Sequence, residues 1–131
     1  MYLKSKLPNS LHPNAIRGIH LFNEKKYFDA HEELELAWRE ETGWFREMYR
    51  GILQVGVAYY HIEHKNFIGA RKMLERAAKW LEPYPDQCLG INIGKLKTDA
   101  FEVYIKLINS EFDKISIIDG NLFRNIETTF N

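Results

Sequence analysis

Only one cysteine, Cys88, occurs among the 131 residues. No internal disulfide can form, and the expected setting is the reducing cytoplasm. Surplus charge is missing as well: 18 Lys and Arg balance 18 Asp and Glu, so no global field draws in nucleic acid or an anionic membrane. No apolar run approaches the ~20 residues of a membrane span, and the opening Met1-Tyr2-Leu3-Lys4-Ser5-Lys6 has no apolar stretch of signal-peptide length. A Gly-rich phosphate loop is absent, none of Ser5, Ser10, Ser110 and Ser116 sits in a nucleophile elbow, and Cys88 has no histidine beside it in sequence. These gaps argue against nucleotide-binding loops, nucleophilic hydrolases, dedicated nucleic-acid binders and membrane proteins.

What is present is globular and helical. A hydrophobic content of 45% with 14% aromatics suits one packed domain over residues 1–131. The expected architecture is all-α, a compact bundle of five to six helices built from two antiparallel hairpins. After an irregular start over 1–12, a first helix opens at Pro13 and runs to about Lys25. A second carries Tyr27 to Trp38 and stops near Thr42-Gly43, where the glycine suits a C-terminal cap. The third, about 44–64, is apolar almost all round and should be central. A fourth follows Asn66, an N-cap residue, and ends at Pro83 and Pro85; 83–92 reads as a loop; a fifth spans about 93–111. Beyond it, Ile115, Ile117 and Ile118 are β-branched, Asp119-Gly120-Asn121 signals a turn, and Leu122, Phe123 and Ile126 suit one more helical turn packed back on the bundle.

The second helix carries the chemistry. His31, Glu35 and Trp38 recur at i, i+4, i+7 and share one face. With His31 at zero, Trp38 falls near −20°, Glu35 near +40°, Tyr27 near −40° and Leu34 and Phe28 about 60° to either side. The expectation is therefore an imidazole and a carboxylate in the middle of an apolar stripe, where each needs a partner. The third helix gathers its polar residues, Arg46, Arg50, Gln54, His61 and His64, within roughly 80°. That stripe is either its solvent edge or the surface that meets His31 and Glu35.

Two readings follow. In the first, His31 and Glu35 are two ligands of a divalent metal, with His61 as the third, Glu32 and Gln54 behind them and Arg50 as charge partner. A metal-dependent hydrolase is the enzymatic extension of that reading. In the second, the pair is a polar network that fixes helix register, with Glu35 accepting from Arg46 or Arg50 and His31 bonded to Glu35, Gln54 or a tyrosine hydroxyl. The protein is then an adaptor that binds a peptide, a partner helix or a second copy.

A faint repeat supports the adaptor. At an offset of 40, Tyr27-Phe28-Asp29-Ala30 through Leu34-Glu35 aligns with Phe67-Ile68-Gly69-Ala70 through Leu74-Glu75. Each copy opens the second helix of a hairpin with an aromatic, and its alanine permits close helix approach. This is the logic of tetratricopeptide pairs, whose period is about 34.

With these residues in view, the chain resembles the domain of unknown function 309 family of small bacterial and archaeal proteins. The resemblance rests on His31-x-x-x-Glu35-x-x-Trp38, where the family places Trp or Tyr last. Phe22-Asn23, Tyr27-Phe28-x-Ala30-His31-Glu32, Arg50-Gly51-Ile52-Leu53-Gln54, His61 and Asn66-Phe67-x-Gly69-Ala70 extend it. It covers about residues 16–82 and implies a helical bundle with a motif suspected to bind metal; the family carries no accepted activity. Lys65 stands where the family pattern leads one to expect glycine, a departure that should alter only the turn.

Overall fold

Two lysines in left-handed backbone conformation set the architecture. The computed structural model describes residues 10–109 and 122–130, and in it Lys25 has φ 63° and Lys65 φ 61°. After the first helix, Lys26 N–H donates to the Leu21 carbonyl and Lys25 N–H to that of Phe22, both at 2.9 Å. Forty residues on, Asn66 N–H donates to the His61 carbonyl at 2.8 Å and Lys65 N–H to that of Ile62 at 3.0 Å. Both are Schellman turns, which satisfy the last helical carbonyls and send the chain back on itself. The repeat seen in sequence is therefore a repeat of backbone hydrogen bonding. Left-handed backbone costs an L-residue about 1 kcal/mol that glycine avoids. Lys65→Gly is accordingly expected to raise stability by about 1 kcal/mol in urea unfolding. Lys25→Gly should gain less, because Lys25 Nζ also donates to the Phe123 carbonyl at 2.5 Å.

These turns close two hairpins, α1 (Pro13–Asn23) with α2 (Tyr27–Glu40) and α3 (Arg46–Glu63) with α4 (Phe67–Leu81), followed by α5 (Ile93–Asn109). The hairpins pack through α2 and α3, and α5 lies against α4. Among the described residues the fold is thus all-α with five helices. The starts follow local chemistry. Pro13 occupies the first turn of α1 while His12 Nδ1 accepts from Asn14 N–H at 3.0 Å. Asn66 Oδ1 accepts from Gly69 N–H at 3.0 Å to cap α4. α2 ends one turn sooner than glycine capping suggested, at Glu40; Gly43 is not left-handed, and the buried Glu41 accepts from its N–H at 3.0 Å instead.

Small residues let the helices approach. Ala30 and Ala70 are buried, and a Cβ on Gly51 would meet Leu81 Cγ at 2.6 Å across the α3–α4 crossing. α3 is the central element, burying Met48, Tyr49, Ile52, Val55, Ala58 and Tyr59 among others. At its C-terminal half an aromatic cluster joins the hairpins. Phe22, Tyr27 and Tyr59 have ring centroids 5.3 to 5.8 Å apart, and Phe123 stacks on Tyr59 at 4.5 Å.

Two segments differ from expectation. Residues 83–92 hold a small antiparallel pair, β1 (Gln87–Cys88) and β2 (Ile91–Asn92), joined by Leu89 and Gly90 with φ 53° and 84°. Two successive positive-φ residues are the geometry of a tight hairpin turn, and Leu-Gly is a weaker signal for it than Asn-Gly. Residues 122–130 bury Leu122, Phe123 and Ile126 as expected of a tail packed on the bundle, but only Leu122 is helical, in a 3₁₀ turn, and 124–127 are irregular. The segment is pinned by Asn23, which donates to the Ile126 carbonyl at 3.0 Å and accepts from its N–H at 2.7 Å. It also bridges Ile91 through Thr128. The expected isoleucines at 115, 117 and 118 and the turn at 119–121 lie outside the described residues, as does most of the irregular start. No helix among the described residues is long and apolar enough to cross a membrane.

Candidate functional site

α2 buries Tyr27, Ala30, Leu34 and Ala37, so its core direction lies about 80° from His31 on the wheel. The motif residues therefore flank the core rather than point into it. His31 and Glu35 side chains are each 32% exposed. Phe28, which drew the expected stripe toward His31, is 54% exposed. The expectation of a buried pair is corrected to a half-buried one on the rim.

The pair satisfies itself within α2. Glu35 Oε1 lies 3.2 Å from His31 Nε2, and Glu35 Oε2 accepts from Arg39 Nη2 at 2.6 Å. Arg39, not Arg46 or Arg50, is thus the guanidinium on Glu35, so the expected charge partner is corrected. Glu32 is exposed. His61 Nδ1 faces Asn66 Nδ2 at 3.4 Å; burial, and then the neighbouring His64, holds its pKa below the ordinary 6.5. Among the described residues no group of three or more His, Cys, Asp or Glu side chains is arranged to hold a metal ion. Because this rim geometry is solvent-screened, Glu35→Gln is expected to cost less than about 1 kcal/mol. A larger loss in chemical denaturation would contradict the self-contained pairing.

The third motif residue is the better connected. Trp38 Nε1 donates to Glu47 Oε1 at 3.2 Å, and the Trp38 carbonyl accepts from Arg46 Nε at 2.7 Å. The Arg46 and Arg50 guanidinium carbons lie 4.4 and 4.6 Å from the Trp38 ring centroid. Arg50 also lies 4.1 Å from the Trp80 ring centroid, on α4. Glu47 ties both arginines, to Arg46 Nη1 at 3.3 Å and Arg50 Nε at 3.0 Å. One α3 residue is therefore held between a tryptophan of α2 and a tryptophan of α4.

That contact decides the question left by the polar stripe of α3. Arg46, Arg50, Leu53, Gln54, Val57, Tyr60 and His61 are all half-buried, a strip running between α2 and α4. At the other end Tyr60 meets Phe28 of α2, with centroids 6.0 Å apart, and packs against the tilted ring of His64 at 4.1 Å. Trp38–Arg50 and Phe28–Tyr60 fix the α2–α3 register, with His31 and Glu35 lying between Phe28 and Trp38 along α2. Gln54 Oε1 is buried without a hydrogen-bond partner. From Phe28 to Trp38 is ten residues, about 15 Å of helix.

Sequence reasoning missed the role of Glu47, which gathers three donors, and that of Asp99. Asp99 is buried but bonded to Lys95 Nζ at 2.6 Å and Arg124 Nη1 at 3.3 Å. Both partners are ordinary charged residues in sequence, and only the fold brings Arg124 to α5. An apolar recess of about 500 Å³ between α4 and α5, over Val55, Leu74, Ala77, Leu81, Ala100 and Phe101, was also unforeseen.

Paired helical hairpins presenting an aromatic–arginine face, without a metal cluster among the described residues, define the class of protein. Residues 15–73 match the family model described as "Domain of unknown function (DUF309)", the family that the motif of α2 resembles. The match includes His31, Glu35, Trp38 and Arg50 and stops short of Trp80. The chain is also similar to "Uncharacterized protein YpuF" of Bacillus subtilis (strain 168), 29% identical over 99 residues, or 73% of this chain and 52% of that protein. It spans about half the length of this curated relative.

Proposed function

We propose that this protein is an interaction module whose α2–α3–α4 face receives a segment of a partner protein. The observation that carries the reading is Arg50 held between Trp38 and Trp80. Aromatic residues and arginine are the side chains that dominate binding energy at protein interfaces. Exposed aromatics extend the face at both ends, Phe28 at 54% and Trp44 at 57%, where Trp44 stacks on Tyr84. In this reading His31 and Glu35 shape one wall, and residues 1–131 act as one domain in the cytoplasm. A selection of displayed amphipathic peptides tests it. Binders should be lost on Val57→Glu, in the middle of the strip, and kept on Lys72→Glu, on the exposed side of α4. Binders indifferent to Val57→Glu would contradict it. The metal reading stands instead if tag-free protein carries a stoichiometric ion that His31→Ala loses.

A further inference from the structure

All three tryptophans of this chain, Trp38, Trp44 and Trp80, collect where the N-terminal half of α3 meets α2 and the end of α4. Contacts link them: Trp44 stacks on Tyr84, one turn beyond Trp80, and Trp80 and Trp38 both lie against Arg50. We propose that this end of the face recognises a carboxylate carried by an acidic peptide, an inference that rests on the interaction-module reading.

The guanidinium geometry is the first argument. Contact with indole rings on two helices removes water from the face of the Arg50 guanidinium and fixes its plane. Its edge is left for a planar acceptor, the geometry that carboxylates match with two parallel hydrogen bonds. Donor accounting is the second. A guanidinium has five N–H groups. Arg50 Nε faces Glu47 Oε1 at 3.0 Å, and its Nη1 and Nη2 make no hydrogen bond to another described residue. Arg46 commits Nε to the Trp38 carbonyl and Nη1 to Glu47, which leaves Nη2. Arg50 is 28% and Arg46 37% exposed, so these edges reach solvent.

Charge is the third argument, and it selects the ligand. Among the ion-paired groups, three guanidiniums, Arg39, Arg46 and Arg50, stand against two carboxylates, Glu35 and Glu47, while the buried Glu41 is bonded to Gly43 N–H and the Tyr49 hydroxyl. The remainder is one positive charge, which complements one carboxylate better than a dianionic phosphate. It is also too little for a nucleic-acid backbone, where several phosphates are neutralised together. The indoles beside the arginines supply the apolar contact that a bare anion site lacks. The fitting partner therefore places an acidic side chain next to large apolar ones.

Because every tryptophan lies at this end, intrinsic emission reports occupancy. Three 12-residue peptides would be titrated into the full chain, sharing one pattern of leucines with glutamate, serine or lysine between them. The glutamate peptide is expected to give a saturable emission change and a Kd about tenfold below the serine peptide's, with the lysine peptide weakest; tenfold corresponds to about 1.4 kcal/mol. Arg50→Lys keeps the charge but loses the planar fork, and should raise the glutamate-peptide Kd about tenfold while leaving the serine-peptide Kd within about twofold. Arg46→Lys serves the same purpose if Arg50→Lys fails to fold. Equal affinity for the serine and glutamate peptides overturns the acidic preference and leaves the module reading standing. No emission change with any of the three at millimolar peptide overturns both.

Discussion

Phe22→Ala is expected to lower the unfolding free energy by about 3–5 kcal/mol, the cost of removing a fully buried aromatic ring. For a domain of this size the melting temperature should fall by roughly 10–20 °C. Phe22 belongs to α1, yet its ring packs against Tyr27 of α2 and Tyr59 of α3, 5.3 and 5.8 Å away. Losing it leaves a void where the hairpins meet, and α1 and α3 cannot close inward without disturbing the Schellman turns that end them. Tyr59 also carries the stack with Phe123, so the tail should loosen in the same variant. Thermal and urea unfolding would check the size of the loss, and a change under about 1.5 kcal/mol would mean the ring cluster is not the joint described here.

The second large effect concerns the last residue of the motif. Trp38→Ala should cost about 2–3 kcal/mol, summing two cation–π contacts, the hydrogen bond to Glu47 and lost burial. It should also abolish binding of the acidic peptide, because Arg50 loses the α2 wall that positions it. Trp38→Tyr retains an aromatic face but not the indole N–H, and should lose about 1 kcal/mol while keeping most of the affinity. Calorimetric binding of the two variants, each compared with its own melting curve, separates positioning from simple destabilisation. Equal binding losses in the alanine and tyrosine variants would contradict it.

Much of the scaffold is legible in the sequence because local signals agree. Pro13 and Asn66 mark helix starts, Pro83 follows the end of α4, and the offset of 40 between two aromatic–alanine–leucine patterns becomes a repeat of turns. Lys65 occupies a left-handed position, where glycine is the residue best tolerated. Lys25 shares that conformation with no sequence signal at all. The β-pair at Gln87–Asn92 escaped because its four strand residues are too few to show alternation. The tail's return to the bundle was legible from its apolar residues, but its irregular path was not, because that path is set by Asn23, Lys25 and Ile91, distant in sequence.

The site was legible only in part, for a geometric reason. A helical wheel ranks residues by angle, and Phe28 was counted as core although it lies on the rim; that turned the expected stripe toward His31. Three residues of the motif were singled out correctly as sharing a face, but their neighbours were not predictable. Glu35 took the closer Arg39, and the i, i+3 pair Glu47–Arg50 formed within α3 instead of across the helices. The placement of Arg50 between Trp38 and Trp80 depends on α2, α3 and α4 together, which no single-helix periodicity encodes.

The measurement that bears most directly on the central claim is a map of backbone amide NMR shifts on adding the glutamate peptide. Binding at the α2–α3–α4 face predicts perturbations along His31, Glu35 and Trp38, along Arg46 to Val57, and at Trp80, with α5 unmoved. Perturbations confined to the recess at Leu74, Ala100 and Phe101, or scattered without a patch, would contradict it.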